Sequence, residues 1–321
     1  MDICFNRRPF RADLPRAVTI GNFDGVHLGH KHILQTLRTE AQARRLQTAV
    51  VIFEPQPPEF FARRLGTPDP LRLTPLRDKL RLLKQSGCVD AVRVLRFNAE
   101  FAAQCAPDFI RQTLCGDMNT RYLLVGDDFR FGKGRGGDFA LLRQCPDFVT
   151  EQTPSVLVAG GRASSTAVRH ALQQGRLDMA QQILGRPYAL SGRVKHGAKL
   201  GRTLGCPTAN IHLPAHRYAL NGVFVIEASG SFGTRYGVAS FGTNPTVSDT
   251  PSTKLEVHLF DFQGNLYGQR LEVSFLHKLR DETRFSSLNA LQAQIQADMD
   301  AARNWAGRTL KSRFFGNKAL K

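Results

Sequence analysis

The sequence predicts two folded modules: an α/β module built on a parallel sheet, then an all-β module of antiparallel strands that ends in a helix. Three observations predict this. The first half alternates short apolar runs with amphipathic stretches. From Gly185-Arg186-Pro187 onward the text changes to short alternating runs separated by glycine-rich turns. The 321 residues are also enough for two domains, each with its own core. We set the boundary at Arg186, giving modules of residues 1–186 and 187–321.

The elements follow in order. AVTIG from Ala17, TAVVIFEP from Thr48, DAVRVL from Asp90 and RYLLVG from Arg121 are too apolar to keep one face in water. They read as strands buried on both sides, the signature of a parallel sheet covered by helices. Helical patterns begin at Gly29, at Pro75 and near Phe109, and a helical pair spans Ala167 to Leu184. In the second half YALSGRV, GVFVIEAS, TRYGVASFG, KLEVHLFD and QRLEVSFL read as strands of a sandwich or barrel. Ser287 to Trp305 reads as a closing amphipathic helix.

Composition excludes several classes. With 42% hydrophobic and 22% charged residues the chain is globular, neither fibrous nor disordered. The formal charge of +17 favours polyanionic ligands such as nucleotides, but the excess is scattered rather than gathered in a basic arm, which argues against nucleic acid. Cys4, Cys88, Cys105, Cys115, Cys145 and Cys206 form no CxxC pair and no cysteine–histidine spacing suited to zinc, so reduced thiols are expected. MDICFNRRPFRADLP lacks the apolar core of a signal peptide, and no stretch approaches the ~20 apolar residues of a membrane span. A cytoplasmic location and no membrane partner are the expectation.

GNFDGVHLGH, Gly21 to His30, follows the first predicted strand and enters the first helix. Ligands settle at the carboxyl ends of strands in open parallel sheets, and a helix start offers free N–H groups to an anion. His27 and His30 can reach one triphosphate together, and Gly25 and Gly29 let the backbone approach it. The bland alternative is a tight turn with two solvent-facing histidines. A second string, SSTAVR from Ser164 to Arg169, places hydroxyls at a helix start with an arginine one turn later, a site for departing pyrophosphate. Its bland alternative is a serine N-cap with an exposed arginine. A third, GDDFRFGKGRGGD from Gly126 to Asp138, is too glycine-rich and charged for anything but a loop.

HxGH and SSTAVR together resemble the paired signatures of nucleotidylyl transferases. With FEPQP and VGDDFRFG in the same order, they resemble the FAD synthetase module of bacterial bifunctional riboflavin kinase/FAD synthetases, over nearly all of the first module. The resemblance implies a Rossmann-like nucleotidylyl transferase fold. Nucleotide would be held by Gly21, Phe23, Gly25, Asp128, Ser165 and Thr166, with His27, His30 and Arg169 acting on the phosphates. Phe53 and Pro55 would shape a flavin pocket. Many relatives carry histidine where this chain has Gln56, which puts a catalytic role at that position in doubt.

GRVKHGAKLGRTLGCPTAN, Gly192 to Asn210, opens the second module. Alone it is compatible with a basic hairpin turn, and PTAN with an ordinary strand start. It resembles the ATP-binding start of riboflavin kinases, which implies a barrel with a closing helix. Gly197, Lys199, Gly201 and Arg202 would then wrap phosphates, Thr208 and Asn210 would offer hard oxygens to Mg²⁺, and Glu256 in KLEVHLFD would be the base. SFGTNPTV and LRDETRFSSL also match the kinase module and imply Asn244 and Arg284 near the flavin or phosphates; in isolation Arg284 reads as a surface ion-pair partner. Cys206 stands where relatives often have an aromatic residue. The implied chemistry is riboflavin plus ATP to FMN and ADP, then FMN plus ATP to FAD and pyrophosphate. A different nucleotidylyl transferase would leave the second half unexplained. A non-enzymatic flavin- or nucleic-acid-binding regulator would not need the phosphate-handling side chains retained here. An aminoacyl-tRNA synthetase would want a KMSKS-like loop. Oligomeric state is left open.

Overall fold

A computed structural model of the chain describes residues 1–6, 14–197, 206–244 and 252–316. The predicted phosphate-loop residues Lys199, Gly201 and Arg202 lie outside the described residues. Backbone proximity divides the chain into two compact units, Met1–Pro70 with Thr74–Ser165, and Leu71–Leu73 with Thr166–Lys321.

The first unit carries six parallel strands: β1 (Asp2–Phe5), β2 (Arg16–Ile20), β3 (Gln47–Glu54), β4 (Ala91–Arg96), β5 (Thr120–Gly126) and β6 (Val149–Thr153), in the spatial order β1-β4-β3-β2-β5-β6. The four inner strands are those predicted from apolar runs, and Val18, Val50, Val51, Ile52, Val92 and Leu123 are buried, as two covered faces require. The edge strands DICF and VTEQT are mostly exposed and carried no such signal. Around the sheet run α1 (Leu28–Ala43), α2 (Pro57–Arg64), α3 (Leu76–Gln85), α4 (Ala99–Ala103) and α5 (Ala106–Asp108), which continues into a helical segment Phe109–Asp117; then α6 (Phe139–Arg143) and a short hairpin, β7 (Leu157–Val158) with β8 (Gly161–Arg162). Helix α1 packs through Leu34, Leu37 and Ala41, spaced three and four apart so that they share one face. The chain winds outward from β2 through β3 to β4, then returns to place β5 on the other side of β2. The loops leaving β2 and β5 therefore diverge, and the crevice between them is where an open α/β sheet binds ligand.

In the second unit, α7 (Ser165–Gln173) and α8 (Leu177–Leu184) precede a closed antiparallel barrel ordered β10-β13-β12-β11-β14-β9. Its strands are β9 (Tyr188–Lys195), β10 (Ala209–His212), β11 (Gly222–Gly230), β12 (Gly233–Asn244), β13 (Ser252–Leu259) and β14 (Arg270–Arg280). Between sandwich and barrel, the structure takes the barrel. Alternation is plain in β13, where Leu255, Val257 and Leu259 are buried and the residues between them are not. Phe275 packs edge-on against Phe224 and Phe241 at 5.4 and 5.8 Å between ring centres, filling the interior. A barrel of this size is filled by its own inward-facing side chains. The closing helix α9 (Leu288–Gly316) is fixed by Asp298, whose buried carboxylate accepts from Arg280 Nε at 3.0 Å and from its Nη2 at 2.8 Å.

Candidate functional site

The loop leaving β2 is held in a conformation that the sequence alone would not favour. Phe23 and Val26 have φ of 47° and 42°, and Gly25 has φ of 84°. A left-handed conformation is uncommon for any side chain and is an outlier for a β-branched one, so surrounding contacts must impose it. They do so from the side of Thr74. The buried carboxylate of Asp24 accepts from Thr74 N at 2.9 Å and Thr74 Oγ1 at 3.0 Å, while Gly25 N donates to Thr74 Oγ1 at 3.0 Å.

His27 caps α1: its Nδ1 accepts from His30 N at 3.4 Å, which leaves Nε2 as the protonated nitrogen of the neutral ring. The two imidazoles stack at 3.7 Å between centres, and Phe23 lies 4.7 Å from His30. His27 is buried and His30 half-buried, so the solvent-facing alternative does not hold. Burial, then the charges of His27 and the fully buried Lys79, hold the His30 pKa well below the usual 6.5. His30 Nδ1 is buried with no hydrogen-bond partner among the described residues. A buried imidazole nitrogen without a protein partner suits an incoming phosphate oxygen.

The distant SSTAVR string returns to this loop. Ser165 starts α7 and donates through Oγ to the Asp24 carbonyl at 2.8 Å. A Cβ on Gly29 would lie 3.1 Å from both the Ala163 carbonyl and the His27 ring, so glycine lets the two strings approach. Thr166 is exposed on α7. Arg169 is half-buried in the second unit, where Nε donates to the Leu71 carbonyl at 2.6 Å.

After β5, Asp127 accepts from Ser155 Oγ at 2.7 Å and Arg162 at 2.8 Å, and Arg162 also reaches Asp128 at 3.3 Å. Asp128 is otherwise exposed to solvent. After β3, Phe53 packs its ring against Phe97 and Phe101, 5.8 and 5.6 Å between centres, at the carboxyl ends of the strands; Pro55 follows it. Gln56 is buried and begins α2, its backbone N–H donating to Glu59 Oε2 at 2.9 Å. The Q-x-x-E spacing thus sets a carboxylate against the N–H at the start of α2.

In the barrel, Asn210 pairs with Lys195 on one side and Glu256 on the other, and Glu256 pairs with Ser240. Directly opposed residues point to one side of a sheet, and their neighbours Ile211, Val257, Ala239 and Leu255 are buried inside. Lys195, Asn210, Glu256 and Ser240 therefore form a polar row on the outer face, and Thr208 lies just before β10, two residues from Asn210. Glu256 is held by Lys254 Nζ at 3.0 Å, and Ser240 Oγ donates to Glu282 Oε1 at 3.2 Å. Gly197 is packed against this row: a Cβ there would sit 2.3 Å from Asn210 Nδ2. Asn244 ends β12 opposite Ser252, its side chain outside the described residues, and Arg284 is exposed after β14.

Known proteins resolve the two halves separately. The FAD synthetase family model matches residues 11–167 and the riboflavin kinase family model residues 184–306. Bifunctional riboflavin kinase/FMN adenylyltransferases from Haemophilus influenzae and Escherichia coli K12 are 45% and 46% identical, over 89% and 91% of this chain and 93% of each relative. The chain belongs to the bifunctional riboflavin kinase/FMN adenylyltransferase family. A crystal structure described as a macrolide-efflux protein from Streptococcus pneumoniae superposes with a TM-score of 0.76 at 30% identity, covering 95% of this chain and 100% of that one. Among the described residues no helix is long and apolar enough to cross a membrane.

Within the FAD synthetase half, the fold brings together Gly21, Phe23, Gly25, His27, His30 and Ser165. Thr74 and Lys79, which sequence reasoning missed, shape that loop from outside any motif. Within the riboflavin kinase half it brings Asn210 and Glu256 together beside Gly197, with Thr208 just before the strand that carries Asn210. Ser240 was missed because its place in the row comes from strand register. Cys206, the other departure, is buried, and burial pushes its thiol pKa up to about 11.

Proposed function

We infer that this protein phosphorylates riboflavin to FMN with ATP on the outer face of the barrel and adenylylates FMN to FAD with a second ATP at the carboxyl ends of β2 and β5. The functional modules are residues 1–186 and 187–321. The observation that carries this reading is that each half independently gathers its phosphate-handling residues, Ser165 onto the Asp24 carbonyl in one and Asn210 beside Glu256 in the other.

The ribityl hydroxyl is un-ionised at neutral pH, so its attack on the γ-phosphorus wants a base, and Glu256 takes the proton. Lys254 orients that carboxylate through the ion pair at 3.0 Å. The oxygen-bearing side chains of Thr208 and Asn210, two residues apart with Gly197 leaving space beside Asn210, fit Mg²⁺, which prefers one or two protein oxygens plus phosphates and water. When bound, Mg²⁺ supplies charge neutralisation at the phosphate oxygens. Gly197, Lys199, Gly201 and Arg202 wrap the phosphates; Asn244 and Arg284 contact flavin or phosphate.

Adenylylation needs no strong base, because the FMN phosphate has a second pKa of about 6 and is mostly dianionic. The site must align it with the α-phosphorus and stabilise departing pyrophosphate. His27 and His30 donate to phosphate oxygens, Ser165 and Thr166 bind them at the α7 start, and Arg169 meets the leaving group. The strained loop Gly21, Phe23 and Gly25 cradles the nucleotide with Asp128, and Phe53 and Pro55 line the flavin side. A cytoplasmic location suits an enzyme that draws on ATP for both steps.

A product time course from riboflavin, ATP and Mg²⁺ should show FMN rising first and FAD after it; absence of both products would overturn the reading. Glu256→Gln should abolish FMN formation while sparing FMN-to-FAD conversion, and His30→Ala should do the reverse. Loss of both activities in either variant would refute separate sites.

A further inference from the structure

Three metal-ligating groups outside both sites lie together in the first unit. Cys115, in the helical segment before β5, has its Sγ 3.7 Å from Cys145 Sγ, in the turn before β6. A carboxylate oxygen of Asp147 lies 4.0 Å from Cys145 Sγ, and one ligand atom from each of the three residues falls within 4.8 Å of the others. Both thiols are free and partly exposed, Asp147 is exposed, and all three border an open pocket of about 260 Å³. Because Cys115 and Cys145 precede β5 and β6, they sit at the amino ends of those strands, opposite the loops that hold the nucleotide residues.

We propose that Cys115, Cys145 and Asp147 form a binding site for a thiophilic divalent cation of the Zn²⁺ class. Two thiolates bound to tetrahedral zinc at about 2.3 Å stand about 3.8 Å apart, close to the separation already present. The two sulfurs are in contact as free thiols and are not bonded, since a disulfide would bring them to about 2.05 Å. The carboxylate supplies a hard third ligand from an exposed, mobile side chain, and water completes the tetrahedron, as in open zinc sites. The cation lining the pocket, Arg111, is paired to Asp108 at 2.5 Å. Binding releases two protons as two S–H bonds are exchanged for two metal–sulfur bonds, with no change of oxidation state.

The test titrates the full-length, chelator-stripped protein, kept reduced by a phosphine, with Cd²⁺ alone. It reads the ultraviolet cadmium–thiolate absorbance and proton release. Wild type should saturate at one equivalent with the amplitude of two thiolates and release two protons, and Zn²⁺ should displace the Cd²⁺. Cys145→Ser and Cys115→Ser should each remove the saturable step, while Cys105→Ser should keep it. Asp147→Asn, an exposed change that leaves folding intact, should keep the absorbance but weaken binding roughly ten-fold or more. FMN adenylylation at the wild-type rate in Cys145→Ser and Asp147→Asn would verify their fold. A wild-type signal no larger than that of the double serine variant, an unchanged affinity in Asp147→Asn, or failure of Zn²⁺ to compete would each overturn the proposal.

Discussion

Gly197→Ala isolates the position of one carboxamide from everything else in the barrel. The added Cβ would meet Asn210 Nδ2 at 2.3 Å, Cγ at 2.4 Å and Oδ1 at 2.6 Å. Ordinary van der Waals contact begins at about 3.4 Å, so the carboxamide must retreat by about 1 Å. These atoms are the free end of a flexible side chain on the outer face, so retreat costs little stability, well under the ~1–3 kcal/mol of overpacking a core. Position is another matter, since a displacement of about 1 Å at a reacting centre can cost on the order of 10²-fold in rate. The assay follows FMN from riboflavin and FAD from FMN separately, alongside thermal unfolding. Expected are a fall of roughly 10²-fold in the kinase reaction, an unchanged adenylylation rate and an unchanged Tm. Kinase activity within about twofold of wild type would refute the role of Asn210 at the phosphates.

Ser165→Ala should slow FAD formation roughly ten-fold or more while leaving FMN formation intact, because it removes the hydroxyl that joins the α7 start to the Asp24 loop; equal loss of both activities would point to a folding defect instead. His30 should titrate well below 6.5 in the nucleotide-free protein, read from the imidazole signal that disappears in His30→Gln; a midpoint at or above 6.5 would contradict its burial. Since the folded state holds this ring neutral, its contribution to stability is complete above pH 6.5 and is lost as pH falls from there toward the lowered folded value. Asp298→Ala should destabilise the barrel by about 2 kcal/mol, less than a fully buried pair because Arg280 keeps partial solvent contact, and lower Tm by roughly 5 °C; an unchanged Tm would show that α9 is held by its apolar face alone.

The strands that four apolar runs predicted are the four inner strands of the sheet, because burial on both faces leaves a mark on every residue. Edge strands β1 and β6 left none, since among the described residues each pairs on one side only and most of their side chains face water. The predicted closing helix from Ser287 is observed from Leu288 and runs on past Trp305 to Gly316. Motif strings named much of both candidate sites, because an anion site needs particular side chains at a glycine-rich turn or helix start. They said nothing of Thr74, whose hydroxyl and amide bind Asp24 across 50 residues, or of Lys79, whose charge helps keep His30 neutral.

By itself, then, the sequence determined two modules and the chemistry each performs, and it nominated the side chains proposed to handle phosphate, because those depend on residue identity and local spacing. Only the tertiary structure decided that the second module closes into a filled barrel with its polar row outside. The same holds for Ser240 opposite Glu256, and for Cys115 and Cys145, 30 residues apart, meeting beside Asp147. Strand register and helix packing set those encounters, and neither is written in any short stretch of chain.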